Sequence, residues 1–159
     1  MTAVETSSSL LSWSELDPSP TSAGEDEMPW ASQTLRNAKW LNRIVQQIQN
    51  LDRLQPNWDS YGAAPISAKS ILEALRVAER ISWYDDIEAP DISATPDGFV
   101  AFGWGLGDWS LDADIEPDGQ IVYAFLDRFD EDLGHDGVLS HWSQLADILC
   151  QAFESQRLK

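Results

Sequence analysis

Residues 109 to 116 alternate without a break. Trp109, Leu111, Ala113 and Ile115 fall on one parity, and Ser110, Asp112, Asp114 and Glu116 on the other. A period of two is the signature of a β-strand with one face buried and one in water, and it is incompatible with a helix. Antiparallel sheets accept such a one-sided strand, whereas strands of an all-parallel sheet are apolar on both faces. Val100, Phe102 and Trp104 repeat the apolar parity in the preceding segment. Four strands are predicted, over 92–95, 99–104, 109–116 and 121–126. They are joined by the turn-forming runs Pro96-Asp97-Gly98, Gly105-Leu106-Gly107-Asp108 and Pro117-Asp118-Gly119. The expected unit is an antiparallel β-meander of about four strands.

Helical spacing flanks the meander. Over 32–54, Leu41, Ile44, Val45, Ile48 and Leu51 form one apolar stripe, and Gln55-Pro56-Asn57 stops it. A second helix starts after Pro65-Ile66 with Ser67 as N-cap, and its Ile71, Leu75 and Ala78 share a face that can pair with the first. Asp85-Asp86 and Pro90 end helical character. A last helix, capped by Ser140, carries Trp142, Leu145, Leu149 and Phe153 on one face. Segregated helices and strands indicate an α+β fold: a two-helix N-terminal hairpin, the meander and a C-terminal helix. Residues 31–159 make one such domain. Residues 1–30, rich in Ser, Thr, Pro, Asp and Glu, read as an acidic flexible tail. Its apolar island Leu10-Leu11-Ser12-Trp13 is either a docking peptide or a loose contact with the domain.

Charge narrows the function. The chain has 27 acids against 10 bases, a formal charge of −17. The excess is segregated. Residues 81–139 hold fifteen acids and one base, Arg128, for a net −14, while residues 31–80 are net +3. Such acidity disfavours direct contact with nucleic-acid phosphates or anionic lipid. Self-repulsion on this scale makes a cationic partner a reasonable expectation. Arg36, Lys39 and Arg43 share a face of the first helix, which is either a solvated surface or a contact for something negative. One cysteine excludes an internal disulfide. No apolar run reaches the length of a membrane span and the N-terminal residues show no signal pattern, so the expected compartment is the cytoplasm.

Eight tryptophans are an unusual endowment. Trp40, Trp83, Trp104, Trp109 and Trp142 fall on predicted elements and are expected in or beside the core, whereas Trp13 and Trp30 fall in the tail. Trp58 belongs to the most distinctive segment, Asn57-Trp58-Asp59-Ser60-Tyr61-Gly62-Ala63-Ala64-Pro65. Trp58 and Tyr61 can plug the underside of this interhelical loop, Asp59 can accept from loop amides and Gly62 can take a positive φ. The alternative is that Trp58, Asp59 and Tyr61 face a ligand. Asn57 to Ser67, the Thr95-Pro96-Asp97-Gly98 turn, Val100 to Trp104 and Leu111 to Gly119 together resemble a family of small uncharacterised bacterial proteins. The resemblance covers about residues 50–125 and implies a bacterial or phage origin and an α+β layout. It lends no catalytic residues.

Site chemistry is sparse. Asp112, Asp114 and Glu116 form an acidic row about 6.8 Å apart along one strand. That is a poor chelate by itself and a suitable array for Lys or Arg side chains. Asp130, Glu131 and Asp132 sit in an acidic stretch over 127–137. A calcium loop starting at Asp130 would place His135 at its sixth position and His141 at its twelfth, where Gly and Glu are needed. His141 and Cys150 fall on opposite faces of the last helix and form no nucleophilic pair. No phosphate loop, nucleophile elbow or zinc motif is present, so no catalytic residue, metal ligand or cofactor is assigned. The reading is a non-enzymatic acidic module that masks a basic surface of a protein partner through Asp112, Asp114, Glu116, Asp130, Glu131 and Asp132. It is of the inhibitor, antitoxin, immunity or phage counter-defence type, with nucleic-acid mimicry as a variant. The alternatives are a carboxylate- and metal-dependent hydrolase and a scaffolding accessory subunit.

Overall fold

A computed structural model of the chain describes residues 29–158. The acidic segment with Leu10, Leu11 and Trp13 lies outside the described residues, as do the side chains of Arg36, Lys39 and Glu131. Three α-helices and a five-stranded sheet follow in the order α1 (Pro29–Leu51), α2 (Ala68–Ile81), β1 (Asp91–Ala94), β2 (Val100–Leu106), β3 (Trp109–Ile115), β4 (Ile121–Asp127), β5 (His135–Leu139) and α3 (Trp142–Arg157). The fold is mixed α+β, with every strand pair antiparallel and spatial order equal to chain order.

The helices differ from expectation at their ends. α1 opens at Pro29, so Trp30 belongs to it rather than to the tail. Proline suits a first helical position because its φ is preset and its missing N–H has no helical acceptor to lose. α1 stops at Leu51, and the chain tightens there through Arg53 N–H to Asn50 O and Leu54 N–H to Leu51 O. Ser67 is the N-cap of α2, yet its hydroxyl makes no capping bond. α3 is capped by His141 instead of Ser140. The His141 ring accepts from Ser143 N–H at 3.2 Å, and Gln144 Oε1 accepts from His141 N–H at 3.2 Å.

The meander has five strands, not four, and β2 continues through Gly105 and Leu106, which were expected in a turn. β5 occupies part of the stretch expected to be an acidic loop. His135-Asp136-Gly137-Val138-Leu139 has little intrinsic strand preference, so its conformation comes from pairing with β4. Tyr123 lies opposite Gly137, with its ring 3.2 Å from where a Cβ would stand, and covers the bare backbone.

All the buried side chains of the sheet lie on one face. Val100, Phe102, Trp104, Trp109, Leu111, Ala113, Ile115, Ile121 and Leu139 form one cluster with Ile44 and Ile48 of α1, Ala74, Val77, Ala78 and Ile81 of α2, and Leu145, Ala146, Leu149, Ala152 and Phe153 of α3. Trp109 stacks on Phe125 and meets Phe153 edge-on. Trp83 departs from the expected pattern. It is 61% exposed, and the Arg80 guanidinium lies 4.6 Å from its ring centre and 5.9 Å from that of Trp142.

Ser70 fastens α2 to the sheet. It is fully buried, donates to Ile115 O at 2.5 Å and accepts from Val100 N–H at 3.0 Å. Val100 and Ile115 are themselves a register pair. Ser70→Ala leaves that N–H and C=O unsatisfied in the core, so it should lower unfolding free energy by about 1–3 kcal/mol in urea titration with an unchanged m-value.

Candidate functional site

The sheet face opposite the helices is open. Register places Asp91, Gly103, Asp112, Ala124 and Asp136 in one row across the five strands, and Ser93, Ala101, Asp114, Val122 and Val138 in the next. Carboxylates of β1, β3 and β5 therefore stand about 9–10 Å apart, separated by strands carrying glycine or alanine. No cationic side chain among the described residues pairs with Asp91, Asp112, Asp114 or Asp136. The Asp112 carboxylate leans toward Gly103, reaching within 3.3 Å of the place a Cβ would occupy.

Burial and the negative charges of Asp112, Asp97 and Glu116 push the Asp114 carboxyl above its ordinary range. Asp112 is exposed and Asp114 half-exposed, whereas Glu116, expected to continue the strand row, lies past the end of β3 in the turn, where its N–H donates to Gln120 O and its carbonyl accepts from Gly119 N–H. Beside these acids runs an open groove of ≈ 580 Å³, lined by Asp112, Asp114, Val122, Ala124, Leu126 and Asp136 among others. Its aliphatic residues Val122 and Leu126 are 37% and 57% exposed, and Val138, the register partner of Val122 just outside the groove, is 59% exposed.

The second acidic group sits elsewhere. Asp127 pairs with Trp109, so the β4–β5 connection leaves from the end of the sheet remote from Asp114 and Glu116. There Asp127 Oδ1 accepts from Phe129 N–H and Asp130 N–H, and Asp130 Oδ1 accepts from Asp132 N–H. Asp127 and Asp130 thus help to turn the chain, while the Asp130 and Asp132 side chains remain exposed. The structure brings Asp91 and Asp136 to the strand row instead. Neither was legible as a site residue, because their alignment with Asp112 exists only through pairing across β2 and β4.

The 57–67 loop has a structural role. Asn57, Ser60 and Gly62 all take positive φ. Asn57 Oδ1 accepts from Gly62 N–H, and Asp59 Oδ1 from Tyr61 N–H and Ala63 N–H. These backbone donors, Tyr61 foremost, hold the Asp59 carboxyl below its ordinary range. The Trp58 indole donates to Ala64 O at 3.2 Å. The loop is then clamped onto the β1–β2 turn by Ala64 N–H to Pro96 O and Ser67 N–H to Gly98 O, both 2.8 Å. Tyr61, expected beside Trp58 beneath the loop, points into solvent at 94% exposure.

Other candidate chemistry is dispersed. Burial and the carboxylates of Asp86, Asp147 and Glu154 push the Cys150 thiol up, away from the nucleophilic thiolate. His141 is engaged as a helix cap. Among the described residues, no three His, Cys, Asp or Glu side chains gather closely enough to hold a metal ion. No helix among them is long and apolar enough to cross a membrane. No protein-family model matches the chain, and searches of curated proteins and of solved structures return no match.

Two outcomes follow from this geometry. Gly98 has φ +87°, and a Cβ there would lie 2.6 Å from Pro65 O. Gly98→Ala should therefore cost about 1–3 kcal/mol from backbone strain alone, and more once the clamp is forced apart, whereas Tyr61→Ala should stay within about 0.5 kcal/mol by denaturant titration. Asp114 has a folded pKa above its unfolded value, so its ionised form opposes folding at neutral pH, and that opposition disappears as pH falls below the unfolded value of about 3.9. Asp114→Asn should accordingly raise the melting temperature at pH 7, with the gain shrinking to nothing in acid.

Proposed function

We propose that this chain is a non-enzymatic protein-binding module whose open, acidic sheet face masks a basic surface of a protein partner, in the manner of an inhibitor, antitoxin, immunity or phage counter-defence protein acting in the cytoplasm. The observation that carries the reading is the β3 pair Asp112 and Asp114, with Glu116 just past the end of that strand and Asp91 and Asp136 alongside, and with no cation among the described residues to neutralise them. A protein that keeps like charges together on a folded sheet accepts repulsion that a mixed surface would avoid. An approaching basic partner removes the repulsion, and complementary fields speed the encounter and fix its register.

The small residues set between the acids of the Asp91–Asp112–Asp136 row support a macromolecular contact rather than a small-ligand pocket. Gly103 and Ala124 keep the row free of tall side chains. The exposed Asp130 and Asp132 at the far end of the sheet lie beyond that row and would extend the footprint only for a partner about as long as β3, roughly 24 Å.

The test uses the tagged full chain and a variant carrying Asp112→Asn, Asp114→Asn and Glu116→Gln. Both are passed through lysate of the source cells at several salt concentrations, and retained proteins are identified by mass spectrometry. The expected result is a basic protein held by the native chain at low salt and lost from the variant, with the variant melting no lower than the native chain. Identical retention by both chains would remove the acidic face from the interface.

A further inference from the structure

We propose that the groove along β4 is the seat of one partner element: an amphipathic helix with an apolar stripe bordered by Lys or Arg. This rests on the reading of the open face as a protein-binding surface and adds what kind of segment it receives. The carboxylates alone would not distinguish one basic object from another. The floor does. Val122, Ala124 and Leu126 run down the outer side of β4 at about 6.8 Å intervals, large-small-large, with Val138 beside Val122 on β5. Aliphatic side chains at 37–59% exposure, gathered on an otherwise polar or bare sheet face, are unusual for a surface that meets only water.

The dimensions favour a helix. The walls of the groove are the β3 and β5 rows, two strand spacings or about 9.6 Å apart, close to the 10–12 Å width of an α-helix with its side chains. β4 pairs on both sides, so a strand has no free backbone to join there. Asp112 and Asp114 are about 6.8 Å apart on one wall, and helix positions i and i+4 rise about 6 Å. A partner's Lys or Arg at i and i+4 therefore meets both carboxylates, while Asp136 on the other wall takes a base from the opposite flank of the stripe. β4 spans about 24 Å, the length of roughly 16 helical residues. The parallel trough over β2 is floored by Ala101, Gly103 and Gly105 and offers no comparable apolar contact.

The probe is a synthetic Leu/Lys peptide of about 16 residues with leucines at helical spacing, set against a scrambled isomer of equal composition and charge. Each is titrated into the isotopically labelled full chain and followed by amide chemical shifts. The expected result is binding at least about tenfold tighter for the amphipathic isomer, with shifts at Val122, Ala124, Leu126 and Val138. Leu126→Ser should weaken that isomer about tenfold and leave the scrambled one unchanged. Val122→Thr, also on the groove floor, gives the same readout should Leu126→Ser fail to fold. Equal affinity for the two isomers, or no response to either substitution, overturns the groove. If Asp112→Asn with Asp114→Asn then still weakens both isomers, the acidic-face reading survives without it. If that variant has no effect either, both fall.

Discussion

A slip of β3 by one residue against either neighbour would turn Trp109, Leu111, Ala113 and Ile115 into water and drive Ser110, Asp112 and Asp114 toward the helices. Burial of the larger apolar side chains is worth about 1.5–3 kcal/mol each, and unpaired carboxylates in a core are prohibitive. The register of the central strand is therefore held from both directions. The other strands inherit it. Val100, Phe102 and Trp104 on β2, and Ile121 on β4, reach the same cluster only in the phase that β3 sets.

Two local devices lock the helical layer onto that frame. Ser70 takes the place of a missing ladder partner at the Val100–Ile115 end and draws the start of α2 against the sheet. The 57–67 loop, stiffened by three positive-φ residues and the side chains of Asn57, Trp58 and Asp59, lies on the β1–β2 turn. Gly98 permits this approach because any Cβ would meet Pro65 O. The two most distinctive motifs in the chain, Asn57 to Pro65 and Thr95 to Gly98, are thus the two halves of a single contact. Their unusual composition is explained by geometry before any ligand is invoked.

With the helices committed to one face, the other face is left to its side chains. Its acids gain no internal counter-charge among the described residues, and its aliphatic residues on β4 and β5 gain no cover. The resulting surface combines repulsion and exposed apolar area, two features that a binding partner relieves together. Arg80, held between Trp83 and Trp142, shows the opposite economy on the helical side, where cation and rings satisfy one another within the chain.

Periodicity is a local property, and it carried the α+β class, the buried stripes of the first and last helices, four of the strands and the outward parity of Asp112 and Asp114. On α2 the face that reaches the core is Ser70, Ala74, Val77, Ala78 and Ile81, with the expected Ile71 and Leu75 only partly buried. Turn chemistry is also local, so the positive φ of Gly62 and the amide-binding role of Asp59 were legible from residue type. What escaped was set by contacts between residues distant in the chain. β5 is a strand because β4 offers it a ladder and Tyr123 shields Gly137, not because His135 to Leu139 favours extension. Trp83 lies outside the core with its ring against the Arg80 guanidinium, and Tyr61 is exposed while Trp58 alone bonds across the loop, to Ala64 O. The alignment of Asp91, Asp112 and Asp136, and the groove beside them, required the register of five strands. Alternation determines which side of its own strand a residue occupies, but only tertiary pairing decides which residues of other strands stand beside it.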